Sequence, residues 1–221
     1  MGAACAGGAE RIILCDTNGG VLPNELARAI KHVRRDIPSV PLGIHVHNDG
    51  GLAVANTLRA IEEGVIQVHG TVNGIGERCG NVDLTAILSN LELKMGYQCL
   101  PDGNLKGLTN LSKKIWEFLG RDGPLNQPFV GPSAFAHKGG MHVHAIAKST
   151  QSYEHITPEL VGNSRRVLVS ELSGRSNIAA MVNRPDVKDD RALLDKVLQE
   201  VCRVENEGWQ FEAADASFDL L

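Results

Sequence analysis

The sequence lacks the features that mark secreted and membrane proteins. Its five cysteines are odd in number, scattered and never in CxxC spacing, which argues against a disulfide framework and a structural zinc site. No apolar run approaches the roughly 18 to 20 residues that a membrane span needs. The first ten residues carry neither the basic region nor the long apolar segment of a secretory signal. We therefore expect a cytoplasmic protein with no membrane partner.

The sequence also lacks a basic face and a long tail of like charge. Its 22 lysines and arginines are interleaved with 26 acidic residues, which gives a formal net charge of -4. A nucleic-acid-binding domain would concentrate positive charge, so we expect no nucleic-acid partner. With 43% hydrophobic residues over 221 positions, the chain can bury a sizeable core in one or two domains.

A strand, loop and helix pattern occurs three times in the first ninety or so residues. A short apolar run at 11–16 precedes glycines and an amphipathic stretch at 24–35. The second copy comprises a strand before Gly50 and a helix ending near Gly64, and the third extends from Val65 to Gly96. Nearly unbroken apolar strands separated by helices predict an α/β fold with a parallel sheet covered by helices.

The pattern changes after residue 96. A further helix is predicted at 105–119, and a connector rich in glycine and proline follows it. A strongly periodic helix is predicted at 191–204. We predict that residues 1–97 belong to a catalytic α/β domain and that residues 98–221 form small, mostly helical subdomains.

Polar residues follow each of the three predicted strands. They occupy positions 16–18, 45–49 and 73–81. The carboxyl ends of parallel strands meet at one edge of a sheet, where ligands bind in such folds. This placement predicts a functional site at that edge.

His45 and His47 are the strongest candidates for metal ligands. Residues i and i+2 of a strand point to the same side, so the two imidazoles share a face and could chelate a divalent ion. The alternative is a pair of histidines satisfied by ordinary hydrogen bonds. The position at a strand end favours the metal, as do Asn48 and Asp49, which we expect to orient the rings.

The glycine-rich loop at 70–81 does not match a dinucleotide-binding fingerprint. Its spacing departs from GxGxxG because Cys79 stands where the third glycine is required. One interpretation is a tight turn that directs the amide of Asn81 toward the ion and leaves Glu77 for proton transfer. The other is an ordinary surface loop with a Glu-Arg pair.

A second HxH pair, His142 and His144, follows His137 in the connector. A glycine pair just before it suggests a mobile entry loop, so we favour an acid/base histidine over a second metal site. An ordinary imidazole pKa near 6.5 suits proton transfer at neutral pH. Exposed histidines without a catalytic role are the alternative.

Five segments together resemble one protein family. These are LCDTNGG, HVHNDGGLAVANT, GTVNGIGERCGN, SAFAHKGGMHVHA and YEHITPELVGNSRRVLVSELSGRSN. In this order they are similar to the acyl-transferring branch of the DRE-TIM metallolyases, which includes 2-isopropylmalate, homocitrate and citramalate synthases. The last segment resembles the citramalate synthase members most.

The resemblance implies a particular fold and a shortened catalytic region. The family has a TIM (β/α)8 barrel, of which this chain would supply the last three strand-helix units followed by a mostly helical linker subdomain. The first-strand aspartate that binds the metal in the family would be absent. Alone, the chain is expected to be inactive or nearly so.

The resemblance also implies roles for individual residues. A divalent metal, Mn2+, Mg2+ or Zn2+, would be held by His45, His47 and Asn81. Thr17 would bind the carboxylate of the 2-oxo acid substrate. The implied catalytic residues are Glu77, His142 and Tyr153.

The implied reaction is a Claisen condensation of acetyl-CoA with a 2-oxo acid, with pyruvate as the expected acceptor and citramalate and CoA as products. A homodimer is implied, because the linker domain of the family can reach the barrel of a neighbouring subunit. Two alternatives remain open. One is 2-isopropylmalate or homocitrate synthesis, and the other is a non-catalytic fragment or subunit that completes the site of a partner.

Overall fold

The chain divides into two units, Met1–Gly123 and Pro124–Leu221, in a computed structural model. The structure describes residues 1–137, 153–168, 174–182, 188, 190–209, 211 and 217–218. The predicted helix near residue 110 lies in the first unit, although the sequence analysis grouped it with the later subdomains. The functional division between residues 97 and 98 stays a prediction.

Three parallel strands form the sheet of the first unit. They are β1 (Ile12–Asp16), β2 (Leu42–Val46) and β3 (Gln67–His69), in the order β1-β2-β3. Each strand is followed in the chain by a helix, which confirms the three predicted strand-helix units. The register places Cys15 beside His45 and His45 beside His69.

The helices of the first unit agree closely with the sequence pattern. They are α1 (Gly2–Ala6), α2 (Pro23–Asp36), α3 (Ala53–Glu62), α4 (Leu84–Lys94) and α5 (Leu108–Phe118), with 3-10 turns at Val72–Gly74 and Asn104–Gly107. Only the five-residue α1 was not predicted. A helix this short shows no apolar periodicity, so the sequence carries little signal for it.

One face of the sheet packs against the helices, and the other face carries the histidines. Leu42, Ile44 and Val46 alternate with His45 along β2, and all three are almost completely buried in the core of the first unit. Ile30 of α2 is also fully buried in this core. The alternation of a strand thus places apolar residues under the helices and leaves the imidazoles on the opposite side.

Side chains at the start of two helices fix where the helices begin. Asp83 precedes α4, and its carboxylate accepts a hydrogen bond from the backbone N–H of Thr85 at 2.8 Å. The Glu25 carboxylate in the first turn of α2 accepts from the backbone N–H of Leu22 at 3.3 Å. Such caps satisfy backbone donors that have no partner within the helix. The capping of α4 also fixes the end of the loop that carries Asn81.

The second unit combines helices with a small parallel strand pair. Its elements are β4 (Ala136–His137), a 3-10 turn (Pro158–Val161), β5 (Arg166–Val167), α6 (Arg175–Met181) and α7 (Arg191–Asn206). Ile178 of α6 packs with Leu194 and Val201 of α7 in a buried cluster. The helix predicted at 191–204 is confirmed. The strand pair was not predicted.

The helices of the described segments are too short or too polar to span a membrane.

Candidate functional site

The three polar clusters lie side by side at the carboxyl end of the sheet. The backbone N–H of His47 donates to the carbonyl of Asp16 at 3.2 Å, which joins the ends of β1 and β2. The backbone N–H of Asn48 donates to the carbonyl of Gly80 at 2.9 Å, which joins the end of β2 to the loop after β3. Backbone hydrogen bonds therefore hold the clusters together as one surface.

Three imidazoles lie near each other at this edge. The ring centroids of His45 and His47 are 5.3 Å apart, and those of His45 and His69 are 6.0 Å apart. Partial burial, and after it the charges that His47 and His69 would carry, lower the pKa of His45. A lowered pKa favours the neutral imidazole, which is the form that binds a metal. The sequence analysis did not single out His69, although it ends β3 at the same level as His45.

His47 and Asn81 face each other across a short antiparallel bridge. The backbone bond from Val82 N–H to the Val46 carbonyl, 3.1 Å long, lies on one side of this pair, and the bond between Asn48 and Gly80 lies on the other. The two residues are therefore a non-hydrogen-bonded antiparallel pair, whose side chains point the same way and approach closely. The fold brings the imidazole and the amide together.

Two polar atoms of this pair are buried without a hydrogen-bond partner among the described residues. They are Nδ1 of His47 and Oδ1 of Asn81. The Nδ2 of Asn81 donates to the carbonyl of Ile75 at 3.3 Å, which leaves the amide oxygen as the group without a partner. A buried acceptor without a partner costs about 1 to 3 kcal/mol. A divalent cation would satisfy both atoms, so the residues fit a metal.

The side chains that could hold a metal do not form a complete ligand set. Within the described part of the chain, no three His, Cys, Asp or Glu side chains are arranged to hold an ion. Two imidazoles and the amide oxygen of Asn81 would therefore need at least one further ligand from elsewhere.

Two glycines of the loop after β3 leave the space that the Asn81 amide and the loop backbone occupy. A Cβ on Gly76 would lie 2.1 Å from Nδ2 of Asn81, which no side chain could tolerate without displacing the amide. Gly80 has φ +89°, and a Cβ there would lie 2.0 Å from the carbonyl oxygen of Gly74. Glycine is required at both positions because the loop folds back on itself so tightly.

Arg78 joins all three loops through its side chain. Its Nε donates to Oδ1 of Asp49 at 2.7 Å, and its Nη2 donates to Oδ2 of Asp49 at 3.0 Å. The same Nη2 donates to the backbone carbonyl of Thr17 at 2.7 Å. The sequence analysis considered Arg78 only as half of a surface pair with Glu77. No sequence pattern could reveal partners 29 and 61 positions away.

Thr17 and Glu77 lie on the same surface. Thr17 is exposed, directly after β1. The Glu77 side chain is 79% exposed, and its Oε2 lies 3.8 Å from Nη1 of Arg78. The fold thus places both residues in the loops that surround the His47 and Asn81 pair.

Asn48 and Asp49 do not orient the imidazoles through the hydrogen bonds that the structure shows. The Oδ1 of Asn48 accepts from the backbone N–H of Ala53 at 3.1 Å, at the start of α3. Asp49 pairs with Arg78, and the hydrogen bond from this guanidinium is the main cause of the lowered pKa of Asp49. The expected role of these two side chains is therefore wrong. Both stabilise the loop after β2 instead.

In the second unit, Tyr153 stands next to a buried ion pair. The tyrosine side chain is half-exposed, whereas the side chain of Glu154 is only 1% exposed. Glu154 accepts hydrogen bonds from Nε2 of His137 at 3.0 Å and from the guanidinium of Arg165. The Arg165 guanidinium is the main cause of the lowered pKa of Glu154. His137 is thus buried and bound to Glu154, which favours a structural role over the acid/base one.

Ring contacts anchor the residue that follows Glu154. The ring of His155 lies 5.1 Å from that of Phe129, edge to face, and 6.1 Å from that of Phe135, stacked. Two consecutive residues after Tyr153 are therefore held by the body of the second unit. The predicted catalytic residue His142 and the neighbouring His144 lie outside the described residues.

Comparison with known proteins gives two family matches. The HMGL-like family model matches residues 1–115, and the model of the homocitrate synthase post-HMGL domain-like family matches residues 129–208. The chain is 51% identical over 215 residues to the (R)-citramalate synthase of Geobacter sulfurreducens, covering 96% of this chain and 40% of that protein. It is 48% identical over 221 residues to the (R)-citramalate synthase of Aquifex aeolicus, covering 99% of this chain and 42% of that protein.

A solved structure supports the fold. The HMG-CoA lyase of Bacillus subtilis matches 56% of this chain and 42% of that protein, with a TM-score of 0.50 and 24% sequence identity. The three parallel strand-helix units correspond to part of a TIM barrel, as predicted, and the chain spans about 40% of the length of the two curated relatives. The polar strand ends, the barrel-type sheet and the match over residues 1–115 lead to one conclusion: the chain belongs to the HMGL-like family.

Proposed function

We propose that this chain is the carboxyl-terminal part of the catalytic region of an (R)-citramalate synthase. The observation that carries the proposal is a pair of buried polar atoms without a partner among the described residues, Nδ1 of His47 and Oδ1 of Asn81, at the carboxyl end of a barrel sheet. The high identity to two proteins named (R)-citramalate synthase supports the choice of reaction. The whole enzyme would condense acetyl-CoA with pyruvate.

We propose that His45, His47 and Asn81 hold a divalent metal, with a further ligand from outside the described residues. Imidazole and amide ligands are compatible with Mn2+, Mg2+ and Zn2+. When bound, such an ion would polarise the keto group of the 2-oxo acid and stabilise negative charge on its oxygen. The lowered pKa of His45 and the hydrogen bond that orients the Asn81 amide support this assignment.

The other residues would bind substrate and move protons. The hydroxyl of Thr17 would hold the carboxylate of pyruvate. A base among Glu77, Tyr153 and His142 would take a proton from the methyl group of acetyl-CoA, and the resulting carbanion would form a bond to the keto carbon of pyruvate. The keto oxygen would then gain a proton. Water would cleave the thioester, which gives citramalate and CoA.

A homodimer and a cytoplasmic location belong to the same proposal. No disulfide joins any of the five cysteines, all of which lie in the described part of the chain, and Cys15, Cys79 and Cys99 are exposed. Exposed thiols persist best in a reducing compartment. A homodimer would allow the half-exposed Tyr153 to serve the barrel of the other copy.

A chimera would test the proposed function. In it, this chain replaces the matching 215-residue segment of the (R)-citramalate synthase of Geobacter sulfurreducens. We expect CoA release and citramalate formation that require a divalent metal and that prefer pyruvate to 2-oxoisovalerate or 2-oxoglutarate. His47→Ala and Asn81→Ala should abolish both. His32→Ala should not, because the His32 side chain is 76% exposed on α2.

The outcomes of this experiment separate the alternatives. An inactive chimera beside an active parent enzyme would overturn the proposal and favour a non-catalytic fragment. Activity without a metal would refute the assigned ligands. Preference for 2-oxoisovalerate or 2-oxoglutarate would replace citramalate synthesis by 2-isopropylmalate or homocitrate synthesis.

A further inference from the structure

Arg78 occupies an unusual place among the loops at the sheet edge. Its guanidinium donates hydrogen bonds to both carboxylate oxygens of Asp49 and to the backbone carbonyl of Thr17. The three loops that follow β1, β2 and β3 are therefore connected by one side chain. A planar guanidinium can make these bonds at once because its donors form a rigid fork.

The backbone of Arg78 is strained. Its φ of 56° lies in the left-handed region, which residues other than glycine rarely adopt. Such a conformation persists only where surrounding contacts hold it in place. In this conformation the Arg78 side chain reaches Asp49 and Thr17. Strained residues of this kind are concentrated at functional sites.

Stability alone does not explain this ion pair. The side chains of Arg78 and Asp49 are 38% and 26% exposed, and pairs this accessible to water contribute little to folding. Arg59 offers a comparison on α3. Its side chain is 34% exposed and bonds to Glu62 at 2.8 Å, but both residues lie on one helix. The Arg78 pair, by contrast, connects segments that are distant in sequence and that carry site residues.

We propose that Arg78 is a positioning residue for the 2-oxo acid, an inference that rests on the proposed function. By binding the carbonyl of Thr17, Arg78 fixes the backbone of that residue, and with it the place of the hydroxyl that holds the substrate carboxylate. By binding Asp49 as well, Arg78 fixes the segment that carries Thr17 relative to His47, which lies two residues before Asp49. Arg78 itself does not touch the substrate and acts through Thr17.

Kinetics of the chimera test this role. Arg78→Gln should raise the KM for pyruvate about tenfold, the cost of misplacing one hydrogen bond to a charged group, and should change kcat less than about threefold. The KM for acetyl-CoA should not change. Arg78→Lys should behave like Arg78→Gln, because an ammonium lacks the planar fork of donors that binds both oxygens of Asp49 and the carbonyl of Thr17 together. The matched control, Arg59→Gln, should leave all three constants unchanged.

A double variant separates positioning from general loosening of the site. If Arg78 acts through Thr17, Arg78→Gln should add nothing to the KM of Thr17→Ala. A full tenfold effect in the Thr17→Ala background would overturn the inference. The inference would also be overturned if Arg78→Gln and Arg59→Gln had the same KM for pyruvate. The proposed function would still stand in that case, because the chimera is active. An inactive chimera would overturn both.

Hydrogen exchange on this chain gives a readout that does not depend on activity. The N–H groups of Gly19 and Val21 donate to the carboxylate of Asp16 at 3.1 and 3.3 Å, so they report on the loop that carries Thr17. Arg78→Gln should speed exchange in the peptide spanning residues 17–21, and Arg59→Gln should not. Unchanged exchange in Arg78→Gln would show that Arg78 does not hold this loop, and would overturn the inference.

Discussion

Removing either partner of the Glu154 and Arg165 ion pair should destabilise the second unit by different amounts. The Glu154 side chain is 1% exposed, whereas that of Arg165 is 33% exposed. Arg165→Met leaves a buried carboxylate whose remaining partner among the described residues is His137. Glu154→Gln leaves a guanidinium that can turn to water, and the new amide can still accept a hydrogen bond. We therefore expect Arg165→Met to be the more harmful substitution.

The size of the difference follows from the chemistry of the carboxyl group. Losing one partner of a buried pair typically costs about 3 to 5 kcal/mol. A stranded carboxyl can escape by taking up a proton, which for an ordinary glutamate costs about 3 kcal/mol at pH 7. We expect about 3 kcal/mol for Arg165→Met. We expect about 1 kcal/mol for Glu154→Gln, the usual net value of one hydrogen bond.

The penalty should depend on pH in a defined direction. Because Arg165 lowers the pKa of Glu154 in the folded state, the pair contributes stability above the ordinary glutamate pKa of 4.5. That contribution is lost as the pH falls through the lowered folded value. The gap between the native chain and Arg165→Met should therefore be full at pH 7 and shrink as the pH falls. Between pH 7 and 4.5 it shrinks because protonating the stranded carboxyl costs less, and below pH 4.5 it shrinks further because the native pair loses its contribution.

Urea unfolding followed by tryptophan fluorescence would measure these effects. Trp116 lies in the first unit and Trp209 in the second, so Trp116→Phe and Trp209→Phe backgrounds separate the two transitions. The substitutions at Glu154 and Arg165 should shift only the unfolding transition that Trp209 reports. In the double variant Glu154→Gln and Arg165→Met, the loss should be close to that of Glu154→Gln alone. The reasoning would be refuted if the two single variants lost the same free energy of unfolding, or if their losses added in the double variant. It would also be refuted if the difference in free energy of unfolding between the native chain and Arg165→Met persisted at pH 3.

Two further predictions concern the first unit. Gly76→Ala should weaken metal binding by the chimera about tenfold or more in calorimetry, because the new Cβ would displace the amide of Asn81. Gly107→Ala is the control, because a Cβ at Gly107 would have no atom within 4 Å. Equal metal affinities of the two variants would contradict the role of the Asn81 amide. Ile44→Ala should cost about 2 to 5 kcal/mol in urea unfolding, because Ile44 is 1% exposed. Ile66→Ala, at a residue that is 67% exposed, should stay within about 0.5 kcal/mol, and a similar loss in both would argue against the described core.

The sequence predicted the first unit well because its elements are long and periodic. The alternation of Leu42, Ile44 and Val46 with His45 indicated both the buried face of β2 and the direction of the imidazoles. The helix stop at Gly64, where φ is +86°, was equally visible. The two-residue strands β4 and β5 were missed, since so short a segment has no period to detect.

The interactions within the site were harder to predict than its location. The sequence indicated that polar residues would meet at the sheet edge. It did not indicate that Asp49 would pair with Arg78 and Asn48 with the backbone of Ala53, because such partners depend on how the loops fold over one another. Position on a strand is encoded locally, whereas the choice among several hydrogen-bond partners is not. His69 was missed for a related reason, since a single histidine carries no spacing signal.

The register of the sheet places a cysteine where a spin label could report on metal binding. Cys15 stands beside His45 on the neighbouring strand, and its thiol is exposed. A spin label attached to Cys15, after Cys79 and Cys99 have been replaced by serine, would lie on the strand next to His45, one of the proposed metal ligands. A paramagnetic ion such as Mn2+ would then broaden the signal of the label. Occupancy of the site could thus be followed directly in solution, without a substrate and without turnover.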